Sequence, residues 1–348
     1  MESLSIAGRR VGPGEPPYII AEIGANHNGD MALCRRMIDA AKACGADAVK
    51  FQSWSKRSLI STAEYQRNTR YVTGNAPTLE QAVERYQVTR DQHVEIDTYC
   101  RTQGITFFSS AFSADEVGML EELRVPAYKI ASMDVNHHPL LEIVARTGKP
   151  VLLSTGMATL GEVEKALEVL RRSNAGPVAL LHCLSIYPSP PEMVNLRQMA
   201  TWQAAFDVPV GYSDHTLGVA VPLAAIALGA CVIEKHFTTD KQLEGWDHAI
   251  SADPVELAAI VSGGREVFAS LGTAKRVVSQ AEVDKRKVFR RRMVARRPMQ
   301  KGERLTAADV EFKRPGTGIQ PDELDYVVGR PLARDVAFDE ELEWTDLA

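Results

Sequence analysis

The chain has 348 residues, of which 45% are hydrophobic and 24% are charged, and its formal net charge is −5. These proportions are typical of a globular protein with enough apolar side chains for one large core or two smaller ones. The negative net charge argues against nucleic-acid binding through charge alone. Five cysteines without a CxxC pair favour reduced thiols and a cytoplasmic location over a disulfide framework.

Nothing in the sequence predicts export or membrane insertion. The first residues contain no apolar stretch of signal length, and no run approaches the roughly 18 apolar residues that a membrane-spanning helix needs. We therefore expect a protein that has neither a cleaved signal nor a membrane partner.

Short β-rich runs alternate with longer amphipathic runs from Tyr18 to about Gly272. The eight strand candidates are residues 18–24, 47–52, 105–110, 127–132, 150–155, 178–183, 208–213 and 231–237. Helical patterns lie between or after them, for example at 31–45, 160–173, 217–230 and 254–271. This α/β alternation predicts a (β/α)8 TIM barrel. A doubly wound open sheet is the alternative, but neither GxGxxG nor GxxxxGK(S/T) is present.

One connection in this pattern is unusually long. Residues 53–90 are polar and carry the aromatic side chains Trp54, Tyr65, Tyr71 and Tyr86. In a barrel this segment follows a strand and therefore belongs to the C-terminal face. It is expected either to cover the site or to form a surface excursion with its own small core.

The composition changes after Leu271, which indicates a domain boundary. We predict a catalytic barrel over residues 1–272, a charged linker over 273–291 and a small C-terminal domain over 292–348. The basic run from Lys285 to Arg292 is interpreted as part of a solvated linker rather than as a nucleic-acid patch.

Polar side chains gather at the C-terminal ends of the predicted strands, where barrels place their active sites. Those that suggest chemistry are Glu22, Lys50, Gln52, Ser110, Lys129, Ser132, Asp134, Ser154, Tyr187, Ser213, His215, Glu234 and His236. Two lysines with several hydroxyls predict an anion cradle for a phosphate and a carboxylate. His215 and His236 end neighbouring strands and are candidate ligands of a divalent metal. Glu22 is a candidate acid or base, whereas His182 is interpreted as structural.

Several motifs in order resemble the sialic acid synthase family, whose members make nine-carbon nonulosonic acids. They are AEIGANHNGD (21–30), GADAVKFQ (45–52), AYKIAS (127–132), KPVLLSTGMATLGE (149–162), LLHCLSIYPSP (180–190), VGYSDHTLG (210–218) and VIEKHF (232–237). FKRPGTGI (312–319) resembles part of the SAF, or antifreeze-like, domain that is joined to the barrel in this family. The resemblance extends over nearly the whole chain from Tyr18 onward.

The resemblance implies condensation of phosphoenolpyruvate with an open-chain N-acylhexosamine and release of phosphate. It implies that His215 and His236 hold a divalent metal (Mn2+, Mg2+ or Co2+), and that Glu22 activates the water that is added. The residues that it assigns to phosphoenolpyruvate are Lys50, Ser110, Lys129, Ser132, Ser154 and Ser213. Those that it assigns to the sugar are Gln52, Asp134, Tyr187 and Asp247.

The same resemblance implies a homodimer that is domain-swapped through the SAF module. Arg314 would then contact the N-acyl group of the sugar in the barrel of the partner. The planar guanidinium suits an amide oxygen better than a lysine ammonium would.

The sugar side departs from the family pattern. Asp134 stands where a glutamate is common, Ser185 where an asparagine is common, and residues 244–251 differ from the usual PGPDH-type segment. The acceptor is therefore left open between N-acetylmannosamine, a diacetamido-trideoxyhexose and an unacylated hexose. Two alternative functions are a phosphoenolpyruvate-dependent 3-deoxy-ulosonate synthase and a non-catalytic carbohydrate-binding barrel. The SAF module argues against the first, and the intact charged residues argue against the second.

Overall fold

The computed structural model describes residues 3–68 and 78–348. The chain divides into two compact units, Met1–Gly272 and Thr273–Ala348, and each unit has an apolar core of its own. Among the described residues, no helix is both long enough and apolar enough to cross a membrane.

The first unit is built around a closed barrel of parallel strands. Its strands are β1 (Leu4–Ile6), β2 (Arg9–Val11), β3 (Tyr18–Gly24), β4 (Ala48–Ser53), β5 (Thr106–Ala111), β6 (Tyr128–Ile130), β7 (Val151–Ser154), β8 (Val178–Cys183), β9 (Val210–Asp214) and β10 (Val232–His236). Strands β3 to β10 pair in chain order and β10 closes on β3, which makes eight barrel strands within the described residues. The predicted (β/α)8 barrel is confirmed, and the open sheet is excluded.

Helices follow the barrel strands and cover their outer face. They are α1 (Met31–Ala43), α2 (Lys56–Leu59), α3 (Thr62–Arg67), α4 (Leu79–Tyr86), α5 (Arg90–Gln103), α6 (Ala114–Glu122), α7 (His138–Ala145), α8 (Leu160–Arg172), α9 (Pro191–Val194), α10 (Gln198–Phe206), α11 (Ala220–Ala227) and α12 (Pro254–Leu271). Side-chain caps set several of the starts, such as Thr159 before α8 and Asp253 before α12. The helix predicted at 217–230 begins only at Ala220, since Gly218 has a φ of 75°.

An N-terminal hairpin, which the sequence patterns did not predict, closes the end of the barrel opposite to the carboxyl ends of the strands. Its strands β1 and β2 are antiparallel and bury Leu4, Ile6 and Val11 in the main core. Arg9 forms an ion pair with Asp47, just before β4 begins. Three-residue strands with so few apolar positions carry too little periodicity to be recognised locally.

The long segment after β4 has its own core, as one of the two expectations proposed. Helices α2 to α4 lie within residues 53–90, and Trp54, Tyr65 and Tyr86 are buried together there. Tyr71 lies outside the described residues. Phe112 and Ala131 also pack in this small core, so the segment is joined to the ends of β5 and β6.

The second unit combines short strands and small helices. Its elements are α13 (Gln280–Phe289), β11 (Arg292–Ala295), β12 (Val310–Lys313) and α14 (Leu324–Val327). Strands β11 and β12 pair antiparallel, and Met293 is buried in the core beside them. The stretch predicted as a linker, 273–291, contains helix α13.

The second unit also contains an internal repeat that the sequence analysis missed. An Arg–Glu–Asp pattern recurs with identical spacing, first as Arg297, Glu303 and Asp309, then as Arg334, Glu340 and Asp346. In each copy Arg Nε donates to the Asp carboxylate, at 2.8 Å and 2.6 Å, and a second guanidinium nitrogen donates to the Glu. An antiparallel bridge between Met299 and Val336 joins the two copies. The repeat therefore places two equivalent, largely buried carboxylates in the small core.

Asp309→Asn is expected to lower the free energy of unfolding of the second unit by about 1–2 kcal/mol at pH 7, because a charged cap of the turn is lost. Asp309 Oδ2 accepts bonds from Thr306 Oγ1 at 2.6 Å and Thr306 N at 3.0 Å. Those bonds and Arg297 hold the pKa of Asp309 below its ordinary value. The stabilisation is therefore complete above about pH 4 and is lost as the pH falls through the folded-state pKa.

Urea unfolding of the full chain, followed at several pH values, measures this difference. Asp322→Asn, at an exposed position of the same unit, is the matched control and should change little. An equal loss of stability in both variants would contradict the stabilising role of the Asp309 carboxylate.

Candidate active site

The register of the barrel directs polar side chains from several strands into its interior. Glu22 of β3 stands beside Lys50 of β4 and beside His236 of β10. Ser110 of β5 stands beside Lys129 of β6. Because alternate residues of a strand share one face, these side chains meet inside the carboxyl end of the barrel.

Glu22 is held by two neighbours on β4. Lys50 Nζ lies 2.7 Å from Glu22 Oε2, and Gln52 Nε2 donates to Glu22 Oε1 at 2.9 Å. Lys50 also donates to Ser110 Oγ at 3.0 Å. The side chains of Lys50 and Glu22 are 3% and 2% exposed, so both charges depend on this pairing.

Glu234, one of the residues that suggest chemistry in the sequence, occupies the centre of the charged cluster. Its Oε1 accepts a hydrogen bond from Ser213 Oγ at 2.8 Å and lies 3.6 Å from Lys129 Nζ. Its Oε2 lies 3.7 Å from Lys50 Nζ. Burial alone would raise the pKa of this carboxyl, but the two ammonium groups lower it to about 2.

The two lysines differ in their electrostatic state. Burial works against both charges, yet Glu22 and Glu234 outweigh it at Lys50 and raise the pKa of that ammonium. Lys129 donates to the carbonyl of Ile130 at 3.1 Å, and there burial prevails and lowers the pKa. An anionic ligand beside Lys129 would restore the preference for the charged form.

Serine hydroxyls extend this cradle along the barrel wall. Ser132 Oγ accepts a hydrogen bond from the backbone N–H of Gly156 at 3.0 Å. Ser154 Oγ is buried and has no hydrogen-bond partner among the described residues. A buried hydroxyl without a partner costs free energy, so Ser154 is available to a ligand that reaches this wall.

The two histidines meet at the rim of the cluster, with ring centroids 5.4 Å apart. The Nδ1 atom of His215 lies 2.9 Å from the carbonyl oxygen of Leu184, which leaves Nε2 for another partner. His236 Nδ1 is buried, lacks a hydrogen-bond partner among the described residues and lies 3.7 Å from Asp247 Oδ2. Burial lowers the pKa of His236 and thus favours the neutral ring that can ligate a metal.

These residues fit a divalent metal that is also bound by small-molecule ligands. Within residues 3–68 and 78–348, no group of three His, Cys, Asp or Glu side chains is arranged to hold a metal ion. Two imidazoles would therefore supply nitrogen ligands, and water or substrate oxygens would fill the other positions. Imidazole ligands favour Mn2+ or Co2+ over Mg2+, which prefers an all-oxygen environment.

Tyr187 and Asp247 border the histidines from two connecting segments. The ring of Tyr187 lies 4.1 Å from that of His215, and the tyrosine side chain is 52% exposed. Asp247 precedes a short 3-10 helix, His248–Ile250, after β10. Asn26 anchors the same segment, since its Nδ2 donates to Phe237 O at 2.9 Å and to Ser251 Oγ at 2.8 Å.

Together these side chains line a cavity of about 380 Å³ at the carboxyl end of the barrel. The predicted site residues that line it are Glu22, Lys50, Gln52, Ser110, Lys129, Ser132, Ser154, Tyr187, Ser213, His215, His236 and Asp247. The further lining residues are Phe112, Ala131, Met133, Met157, Cys183, Ser185 and Glu234. Glu234 is among the residues that suggest chemistry in the sequence, where it lies two positions before His236. The apolar residues gave no chemical signal in the sequence.

Asp134 and Arg314, the other two predicted sugar-binding residues, belong to different units of the chain. Asp134 ends a 3-10 helix, Ser132–Asp134, and is 8% exposed without lining the cavity. Arg314 belongs to the second unit, where its guanidinium carbon lies 5.5 Å from the centroid of the Phe289 ring. His182 faces away from the cavity and meets the Val194 carbonyl oxygen through Nε2 at 2.6 Å, a structural contact.

Asp134→Asn is expected to raise the free energy of unfolding by about 1–2 kcal/mol at pH 8 and to leave it nearly unchanged near pH 4. Burial raises the pKa of Asp134 to about 6, and its Oδ2 has no hydrogen-bond partner among the described residues. The folded-state pKa therefore exceeds that of the unfolded chain, so stability falls as the pH rises through 6. Urea unfolding at both pH values measures the effect, with the exposed Asp115→Asn as control. A difference in the free energy of unfolding between Asp134→Asn and the unaltered protein that does not vary with pH would contradict this prediction.

Comparisons with known proteins agree with the resemblance seen in the sequence. The NeuB family model matches residues 37–276, and the SAF domain model matches residues 290–348. An uncharacterized protein of Methanocaldococcus jannaschii is 43% identical over 348 residues, which cover 100% of this chain and 99% of that protein. N,N'-diacetyllegionaminic acid synthase of Campylobacter jejuni is 39% identical over 328 residues, which cover 92% of this chain and 97% of that enzyme.

A solved structure gives the same assignment. The N-acetylneuraminic acid (sialic acid) synthetase of Leptospira borgpetersenii, crystallised with citrate, superposes with a TM-score of 0.74 at 33% sequence identity. The match covers 82% of this chain and 95% of that chain. A family model that spans most of the barrel, together with relatives that match nearly the full length, identifies the family. The chain belongs to the NeuB family and carries a C-terminal SAF domain.

Proposed function

We propose that this chain condenses phosphoenolpyruvate with an N-acylated amino sugar and water to give a nine-carbon nonulosonic acid and phosphate. The observation that carries the proposal is the cavity in which Lys50 and Lys129 face Glu22 and Glu234 beside two histidines. Buried lysines of this kind suit a substrate with both a phosphate and a carboxylate.

In this proposal the lysine end of the cavity binds phosphoenolpyruvate. Lys50, Lys129 and Ser110 supply positive charge and hydrogen bonds, while the free hydroxyl of Ser154 and the hydroxyls of Ser132 and Ser213 complete the cradle. The carboxylate of Glu234 lies between the two ammonium groups and keeps them apart. The fixed positions of these groups orient C3 of the enol toward the sugar aldehyde.

Glu22 is the residue to which we assign the addition of water. The bond between C3 and the aldehyde carbon forms as the aldehyde C=O π bond breaks, which leaves positive charge at C2 of the former enol. The former aldehyde oxygen takes up a proton, equivalent to the one that the added water loses, and water adds at C2. Glu22 accepts a proton from that water, while its contacts with Lys50 and Gln52 hold its carboxylate in place. Phosphate then leaves by C–O cleavage as the C2 hydroxyl becomes the ketone, and the proton of that hydroxyl goes to the departing phosphate. The lysines compensate the charge of the phosphate.

His215 and His236 would hold the divalent ion, Mn2+, Co2+ or Mg2+, which when bound polarises the sugar aldehyde as a Lewis acid. The buried Nδ1 of His236, which has no hydrogen-bond partner among the described residues, and the available Nε2 of His215 support this role. Asp247, near His236, and Tyr187 are then placed to contact sugar hydroxyls.

A diacetamido-trideoxyhexose is the acceptor that we favour. Phe112, Ala131, Met133 and Met157 form an apolar part of the lining, and the two methionines are 59% and 72% exposed. The acetyl methyls and the deoxy carbon of such a sugar would cover this surface, whereas a fully hydroxylated hexose would leave hydroxyls against it. The name of the Campylobacter jejuni relative supports the same choice.

Release of phosphate from phosphoenolpyruvate in the presence of a panel of sugars tests the proposal. With Mn2+, the diacetamido sugar is expected to give the largest kcat/KM, followed by N-acetylmannosamine, and EDTA is expected to remove the activity. Glu22→Gln should lower kcat roughly 10²- to 10⁴-fold with little change in KM for phosphoenolpyruvate.

The remaining outcomes of this panel separate the alternatives. No sugar-dependent release with any divalent metal would favour a carbohydrate-binding barrel. Release confined to unacylated sugars would favour a 3-deoxy-ulosonate synthase. A change in KM alone in Glu22→Gln would remove Glu22 as the base.

We also propose that the active unit is a homodimer in which Arg314 of one chain completes the site of the other. Exposed apolar residues surround the mouth of the barrel, among them Met133, Met157 and Leu217. Phe289, beside Arg314 in the second unit, is 55% exposed. Apolar surface of this kind favours association with another protein surface.

Mixing Arg314→Ala chains with Glu22→Gln chains tests the shared site. If sites are shared, each mixed dimer contains one intact site and one doubly altered site, so activity should rise above that of either parent. If Arg314 serves its own barrel, every site carries one change and mixing recovers nothing. Arg330→Ala, at an exposed arginine of the same unit, is the control in place of Arg314→Ala.

A further inference from the structure

A buried ion pair lies on the outer face of the barrel, behind the two histidines. Lys235 of β10 and Asp214 of β9 stand opposite each other in register, and their side chains are 1% and 0% exposed. Glu234 and His236 flank Lys235 and line the cavity, so the alternation of the strand turns Lys235 toward the helical layer. The proposed reaction therefore makes no use of Lys235 or Asp214.

The pair is part of a cluster of three residues that spans both strands. Lys235 Nζ donates to Asp214 Oδ2 at 2.6 Å and also to the carbonyl oxygen of Thr216. Asp214 Oδ1 accepts a hydrogen bond from the backbone N–H of Thr216 at 2.8 Å. Both carboxylate oxygens are thus used, and the turn after β9 is joined to β10 through a side chain.

The proposed metal ligands alternate with the members of this cluster. His215 lies between Asp214 and Thr216, and His236 directly follows Lys235. His236 Nδ1 has no hydrogen-bond partner among the described residues, so its backbone largely determines where the ring lies. The cluster joins the two backbones that place the imidazole rings 5.4 Å apart.

Stability alone does not account for a buried ion pair at this position. Removal of two charges from water is strongly unfavourable, and apolar residues of similar volume often give equal or greater stability. Strand residues that face the helical layer of a barrel are ordinarily apolar. Charge-assisted hydrogen bonds contribute something that apolar packing does not, namely a fixed distance between two defined groups.

We propose that Lys235 is a positioning residue that, through Asp214 and Thr216, sets the separation of His215 and His236 for a shared divalent ion. The inference rests on the proposed function, since it takes these histidines as the metal ligands. It adds that metal affinity depends on a side chain that touches neither the metal nor the substrates.

Titration of the full-length protein with Mn2+, followed by the loss of the electron paramagnetic resonance signal of free Mn2+, tests the inference without turnover. The variant is Lys235→Met with Asp214→Asn, which removes both charges at nearly constant volume. We expect it to remain folded and to bind Mn2+ roughly 10- to 100-fold more weakly, as is typical when outer partners of metal ligands are replaced. Asp214→Asn alone keeps the bond from Lys235 to Thr216, so its loss of affinity should be smaller but at least threefold.

The matched control is Lys149→Met with Glu121→Gln, which removes an ion pair of 2.5 Å at the opposite end of the barrel, next to β7. This control should bind Mn2+ as the unaltered protein does. If the Lys235→Met, Asp214→Asn variant is folded and its affinity for Mn2+ lies within twofold of that of the unaltered protein, the inference is overturned. If that variant does not fold, unchanged binding by Asp214→Asn overturns it in the same way. Absence of Mn2+ binding by the unaltered protein would instead overturn the metal assignment in the proposed function.

Discussion

Burial of charge inside the barrel is the constraint on which the rest of this structure depends. Lys50, Lys129, Glu22 and Glu234 are almost fully buried, and each would be strongly unfavourable alone. They are tolerated because the closed barrel brings opposite charges within 4 Å of each other, between neighbouring strands for Glu22 and Lys50 and across the interior for Glu234 and the two lysines. Among the described residues, the same arrangement gives Lys50 two carboxylate partners within 4 Å and Lys129 one.

Because the residues of a strand alternate between its faces, the inner and outer faces of the barrel have different functions. On the inner face, Ser213, Glu234 and His236 line the cavity. On the outer face, Asp214 and Lys235 form an ion pair one residue away. Successive side chains of one strand point in opposite directions. One residue can therefore face the cavity and contact a ligand, while the next residue faces outward and fixes the position of the first. Polar residues on both faces are tolerated at the ends of these strands, because the rest of each strand is buried in the apolar core.

The second unit depends on a different use of charge. Its small core is supported by two equivalent carboxylates, Asp309 and Asp346, each of which accepts hydrogen bonds from an arginine and from the backbone of the turn that precedes it. The duplicated pattern provides hydrogen-bond acceptors for the backbone N–H groups of two turns. Such polar contacts supplement the apolar core, which is small in a unit of this size. Arg314 lies on a neighbouring segment and stacks over Phe289, so its orientation is set within the same unit.

The barrel, its eight strand positions, the family and thirteen of the residues that line the cavity, Glu234 among them, could be predicted from the sequence. This was possible because parallel strands buried on both faces read as apolar runs, which make Glu22 and Lys50 conspicuous. Tertiary structure alone decided that Glu234 joins both lysines, that Asp134 does not line the cavity and that Lys235 pairs outward with Asp214. These are distances between residues far apart in the chain, and a local pattern carries no information about which of them meet. The N-terminal hairpin was also missed, since three-residue strands acquire their stability from contacts with the barrel rather than from their own periodicity.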